Sequence, residues 1–153
     1  MSVMDYRSTR GFPGRISSIE AVLKGIAPDG GLYISDALAQ LSFDWKSCLK
    51  QEPLSMAAMI LGTLLPEYQG MDALVRKAYQ GKFEPDILTP LVPVGGKWSL
   101  ELHHGPTSAF KDVALSMLPQ LITAGRQQMQ VKGETLILTA TSGDTGKAAL
   151  EGF

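Results

Sequence analysis

Apolar positions first recur at helical spacing at Ile19, Val22, Leu23 and Ile26. Ser17-Ser18-Ile19-Glu20 precedes and overlaps them with the spacing of a capping box, Ser17 as N-cap and Glu20 at the third helical position. Ala27-Pro28-Asp29-Gly30-Gly31 ends this helix, because proline cannot continue the hydrogen-bond ladder and paired glycines permit positive φ. Leu32-Tyr33-Ile34 follows as a short strand. A second helix is expected over Ser55 to Leu65, with Met56, Met59, Ile60 and Leu64 on one face as core packing. A third runs from Asp72 as N-cap to Gly81 just beyond its end.

The texture changes at Phe83. Pro85, Pro90, Pro93, Gly95 and Gly96 punctuate a linker, which makes this the expected boundary between two regions. Trp98 to Leu102 alternates as a strand does, and Gly105-Pro106-Thr107 turns the chain into a helical segment from Ser108 to about Gln128, with a kink expected at Pro119. Glu134 to Ala140 reads as a buried strand, Thr141 to Gly146 as a loop, and Lys147 to Phe153 as the opening of another helix. Strand, helix, strand, helix in that order predicts a parallel α/β sheet. The expected organisation is a mostly helical unit over residues 1–82, then the beginning of an α/β domain over 83–153. Two parallel strands cannot make a sheet with both faces covered, so the chain reads as truncated.

Composition narrows the function classes. With 44% hydrophobic and 19% charged residues, the 153-residue chain has the balance of a soluble globular protein. A net charge of −1 and dispersed basic residues provide no footprint for nucleic acid. Cys48 is the single cysteine, so no internal disulfide and no cysteine metal cluster can form. The N-terminus lacks the apolar core of a secretory signal, and the most apolar stretch, Leu54 to Leu65, is too short to span a bilayer. The expected location is the cytoplasm.

Two constellations carry candidate chemistry. His104-Gly105-Pro106-Thr107-Ser108-Ala109-Phe110-Lys111-Asp112 lies where a strand gives way to a helix. The positive end of a helix macrodipole repels an ammonium, and with partial burial it favours the uncharged amine that an imine-forming lysine needs; Phe110 supplies apolar cover. Taken by itself, a first-turn lysine is most often an ordinary solvated surface residue. Thr139-Ala140-Thr141-Ser142-Gly143-Asp144-Thr145-Gly146 joins a strand to a helix N-terminus. Converging backbone N–H groups, hydroxyls and close-approach glycines suit an anion there, and plain N-capping by Ser142, Asp144 or Thr145 is the alternative. A nucleotide P-loop is excluded, because Thr141 and Ala148 occupy positions where that motif needs Gly and Ser or Thr. His103 and His104 are expected on opposite faces of a strand, unable to share a metal ion.

Together these segments resemble threonine synthases. Leu100 to Asp112 looks like that family's cofactor-lysine segment, and Leu138 to Gly146 looks like its substrate loop. Tyr6-Arg7-Ser8-Thr9-Arg10-Gly11 and Ala27 to Tyr33 match its N-terminal region, so the four matches cover nearly the whole chain in order. The resemblance implies the N-terminal portion of a fold-type II pyridoxal-phosphate (PLP) enzyme that converts O-phospho-L-homoserine and water to L-threonine and phosphate. It implies Lys111 as the cofactor-bearing, catalytic lysine, with Phe110 and Asp144 beside the cofactor. Thr141, Ser142, Gly143, Thr145 and Gly146 would hold the substrate. The chain by itself is expected to bind PLP weakly and to be inactive, and to self-associate through an exposed sheet edge. Alternatives are another fold-type II lyase or dehydratase, which the N-terminal matches disfavour, a non-catalytic phospho-ligand-binding module, which keeping Lys111 disfavours, and an assembly module.

Overall fold

The computed structural model describes residues 4–84 and 87–153. Met1–Val3 and Pro85, which entered the readings of the N-terminus and the linker, lie outside them. The chain divides into two compact units, one comprising the described residues up to Asp72 with Leu121–Val131, the other Ala73–Gln120 with Lys132–Phe153. No described helix is long and apolar enough to cross a membrane.

The first unit begins with strand β1 (Arg7–Ser8), which pairs antiparallel with β2 (Tyr33–Ile34). Helix α1 (Ser18–Lys24) lies between them and carries the predicted capping box: the Ser17 hydroxyl accepts from the Glu20 N–H, and the Glu20 carboxylate accepts from the Ser17 N–H. Asp29 closes the loop before β2. Its carboxylate accepts from the Ser8 hydroxyl at 2.7 Å and from the Phe12 and Gly31 N–H groups at 2.8 and 3.0 Å. These bonds join the two N-terminal sequence segments into one structure, with Ser8 buried between them. Gly31 is required there, because an added Cβ would collide with Ser8 Oγ and come within 3.0 Å of both Arg10 N and Asp29 Oδ1.

A 3-10 turn (Asp36–Gln40) and a short helix α2 (Trp45–Cys48) lead to α3 (Pro53–Leu64), none of whose N-terminal donors is left to chance: Glu52 accepts from the Leu54 and Ser55 N–H groups. The methionine face expected to be core is only partly so. Leu54 is the buried residue of α3, while Met59 and Ile60 remain 38% exposed. Helix α4 (Met71–Tyr79) takes Asp72 into its first turn rather than at its cap. At the start of α1, Glu67 accepts from both the N–H and the hydroxyl of Ser18, a fully buried residue. Gly125, in the part of helix α5 (Asp112–Gln128) that belongs to this unit, lets Tyr68 and Ile19 approach; a Cβ there would lie 2.9 Å from the Tyr68 hydroxyl.

In the second unit the expected linker is partly a hairpin. Strand β3 (Leu91–Val94) pairs antiparallel with β4 (Lys97–Leu100) across Gly95-Gly96, both at positive φ as a tight two-residue hairpin turn requires. Pro93 is tolerated because the ladder has only two strands. Phe83, Val75 and Ala78 are almost completely buried, and Phe83 meets Tyr79 edge-on at 5.8 Å. Burying a side chain of the size of Phe83 contributes about 1.5–3 kcal/mol. The Tyr79 hydroxyl donates to the Val113 carbonyl at 2.8 Å, and burial pushes its phenol up to about 12.

Two expectations fail here. Glu134 to Ala140 is neither strand nor buried: it runs outside any sheet, with Leu136 80% and Leu138 84% exposed. An apolar alternating segment becomes a strand only when a neighbour completes its ladder, and none does so among the described residues. For the same reason the described strands form two antiparallel pairs and no parallel one, so the architecture seen is mixed helices and small sheets.

Pro119 sits inside α5 and cannot donate to the Leu115 carbonyl. Helix α6 (Asp144–Gly152) packs its last residue against that gap. A Cβ on Gly152 would collide with the Leu115 carbonyl and lie 3.4 Å from the Pro119 ring. The sequence feature expected to kink a helix thus also makes a docking notch.

Candidate active site

The segment leading to Lys111 is a turn, not the beginning of a helix. Ser108 N donates to the Gly105 carbonyl at 3.0 Å, and Asp112 N donates to the Ala109 carbonyl at 3.0 Å. Ser108 adopts φ 56°, which breaks any helix through it, so α5 starts at Asp112 rather than at the predicted Ser108. The turn is held by Asp112, 2% exposed, whose carboxylate accepts from the Thr107 N–H at 2.8 Å and the Thr107 hydroxyl at 2.6 Å. Gly105 makes room for this clamp; a Cβ on it would come within 2.5 Å of the Asp112 side chain. The roles of Gly105, Thr107 and Asp112 were not singled out from sequence, although an aspartate five residues after a threonine across a Gly-Pro turn was the available signal.

Lys111 is the residue through which the chain enters α5. Its carbonyl accepts from the Ala114 and Leu115 N–H groups, at 3.1 and 2.9 Å. The side chain is half-buried, with Nζ 4.8 Å from the centroid of the Phe110 ring, so the apolar cover expected of Phe110 takes the form of a cation–π contact. Lys111 forms no ion pair among the described residues.

The second segment settles between its two readings locally. Gly143, at φ 140°, is the N-cap of α6, and no side chain caps that helix. Instead the Thr141 hydroxyl accepts from the Gly143 and Gly146 N–H groups, at 3.1 and 2.9 Å, folding the loop on itself. Gly146 permits this, since a Cβ there would lie 2.9 Å from Thr141 Oγ1. Ser142, Gly143 and Asp144 are exposed, and Thr145 is half-buried. With Thr141 taking the Gly146 N–H, the Asp144 and Thr145 N–H groups, which have no intrahelical partner, and the helix dipole are what the α6 N-terminus offers an anion.

The 105–108 turn and α6 face each other across an open cleft of about 530 Å³, lined by Pro106, Thr107, Ser108, Lys147, Leu150 and Glu151. Neither Lys111 nor residues 141–146 line it. Lys147, about one turn into α6, is therefore a cation facing the turn that was not singled out from sequence.

The histidines contradict their expected placement. Strand β4 ends at Leu100, and beyond it the alternation of faces lapses, so the His103 and His104 rings stack at 4.4 Å with 27° between planes. The His104 Nε2 lies 2.7 Å from Glu101 Oε2.

The chain is similar to known proteins along nearly its whole length. Residues 5–79 match the family model described as "Threonine synthase N terminus". The chain is 40% identical over 167 residues to the threonine synthase of Saccharomyces cerevisiae and 37% identical over 164 residues to that of Schizosaccharomyces pombe. These alignments cover 97% and 99% of this chain and 32% of each relative. Among solved structures, PLP-bound threonine synthase from Brucella melitensis superposes with a TM-score of 0.83 at 34% identity, over 98% of this chain and 33% of that one. Threonine synthase from Escherichia coli superposes with a TM-score of 0.78 at 26% identity, over 98% of this chain and 34% of that one. The chain thus spans about a third of the length of the relatives it matches. In sequence and in fold it is similar to the N-terminal portion of threonine synthases.

Proposed function

We propose that this chain is part of a PLP-dependent lyase of fold-type II that converts O-phospho-L-homoserine and water to L-threonine and phosphate. The observation that carries the reading is the Lys111 turn. A lysine without an ion pair among the described residues, half-buried against Phe110, is held at a helix start by the buried Asp112–Thr107 clamp. An amine held only by an aromatic face can be released to a carbonyl cofactor, and the Asp144 and Thr145 N–H groups at the α6 N-terminus suit an anionic substrate group, so the residues present fit PLP and an amino-acid substrate.

When bound, PLP supplies an electron sink for the pair left at the substrate's Cα. Lys111 is the group that would take the proton from Cα. In the overall reaction a Cβ proton leaves and the Cγ–O bond to phosphate breaks, Cγ gains a proton to become the methyl group, water adds its hydroxyl at Cβ while its remaining proton goes to the released phosphate, and the Cα proton is restored. Ser142, Thr145 and the Thr141–Gly146 backbone would hold the substrate's carboxylate. Asp144 would lie beside the cofactor's 3′-hydroxyl. Residues 83–153 would be the beginning of the PLP-binding domain, with residues 1–82 as its N-terminal helical unit. The loop from Thr141 to Asp144 is exposed and the segment before it lacks a sheet, which supports weak cofactor binding and no turnover by this chain alone.

Titration of the chain with PLP, beside Lys111→Ala, followed by borohydride trapping and peptide mapping, tests the site. The expected result is low-affinity labelling concentrated on Lys111. Labelling spread evenly over the lysines and unchanged in the variant would refute the assignment of Lys111. Phosphate release from O-phosphohomoserine by the chain alone would refute its silence.

A further inference from the structure

Beyond the Lys111 turn, the strongest unassigned cluster is Glu101, His103 and His104, just after the β3–β4 hairpin. We propose that these three residues bind a transition metal ion of the Zn²⁺, Ni²⁺ or Cu²⁺ class. One ligand atom from each lies within 4.8 Å of the others, the only such group among the described residues. Two imidazoles and one carboxylate are the donor set that suits these borderline ions and leaves a coordination position open to water.

The backbone prepares this arrangement. Glu101 N donates to the Pro90 carbonyl at 2.9 Å, and the His104 carbonyl accepts from Glu84 N at 3.2 Å, so both ends of the segment are pinned by main-chain bonds. Between these anchors the two rings stack on one side of the chain, where strand geometry would have separated them. The Glu101 carboxylate already touches His104 Nε2 at 2.7 Å. Ligand atoms around a tetrahedral ion sit about 3.3–3.5 Å apart, given metal–ligand bonds of about 2.0–2.2 Å. The present spacings, from 2.7 Å to at most 4.8 Å, bracket that value. The ion would take the place of the His104 Nε2–Glu101 contact, since a metal-bound imidazole nitrogen carries no proton. His103 is exposed, which leaves the cluster open to solvent from that side.

Calorimetric titration of the untagged chain with Ni²⁺ tests the site, beside His103→Ala, Glu101→Gln and Cys48→Ala, with circular dichroism to establish folding. The expected result is one saturable site per chain, weakened by more than roughly ten-fold in His103→Ala and in Glu101→Gln, the scale on which even outer-shell partners act. Cys48→Ala should bind as the parent does, and the Co²⁺-loaded chain should show no thiolate charge-transfer band. Absence of saturable binding overturns the proposal, as does equal binding in folded His103→Ala, or binding lost in Cys48→Ala.

Discussion

The Asp112 carboxylate accepts two hydrogen bonds from Thr107, one from the backbone N–H and one from the hydroxyl, inside a buried turn that ends at Lys111. The geometry links a residue of the helix to the residue that sets the course of the chain before it. Aspartate also suits the first turn of α5 through the helix dipole.

Asp112→Ala should therefore destabilise the chain by about 1–3 kcal/mol, because it strands buried donors on Thr107. Urea unfolding followed by circular dichroism measures this. An unchanged midpoint would show that the clamp contributes nothing.

At the other end of the chain, Gly31→Ala should cost about 1–3 kcal/mol through overpacking against Ser8, Arg10 and Asp29. Gly62→Ala, at a position with open space around its Cβ, is the control and should be neutral or stabilising. Equal midpoints for the two variants would contradict the packing of the N-terminal turn.

The Tyr68 hydroxyl is buried with no hydrogen-bond partner among the described residues. Burial, with a smaller contribution from Glu67, pushes its phenol up to about 12. Tyr68→Phe removes the stranded group and should leave stability unchanged or raise it by about 1 kcal/mol. The raised value means that the neutral phenol's contribution holds below pH 10 and is lost as pH rises through about 12. The variant should accordingly lose less stability over that alkaline range, which thermal melts in stepped buffers would show.

Asp36 shows the opposite sign. Hydrogen bonds from Arg7 above all, and then from Arg15, hold its carboxyl at about 2, against an ordinary 3.8 and against the opposing effect of desolvation. Its contribution is complete above the ordinary value and is lost as pH falls through about 2. Asp36→Asn should flatten the acid limb of the stability profile between those values. A limb identical to that of the parent would mean that these exposed ion pairs carry no net stability, the common fate of surface pairs.

Leu136 and Leu138 are both largely exposed in a segment that pairs with no strand among the described residues. Such an edge recruits other chains, so self-association should increase with concentration and be suppressed by Leu136→Lys with Leu138→Lys. Sedimentation velocity across a concentration series decides it; association unaffected by the double variant would place the contact elsewhere.

Local signals were legible in the sequence because their physics is local. The Ser17–Glu20 capping box, the Gly30-Gly31 turn, the Lys111 and Thr141–Gly146 motifs and the family resemblance all depend on residues within a few positions of one another. What eluded sequence reading depended on partners brought from elsewhere. Glu134 to Ala140 has the composition of a buried strand, yet strand formation is a property of a pair, and no neighbour is present among the described residues. The stacking of His103 on His104 required knowing that β4 ends at Leu100, and the notch for Gly152 required knowing which helix would meet the carbonyl freed by Pro119. Sequence determined the vocabulary of caps, turns and chemical motifs, since each is stabilised by its own backbone. Tertiary structure alone decided burial, strand pairing and which side chains meet, because those free energies reside in contacts between distant segments.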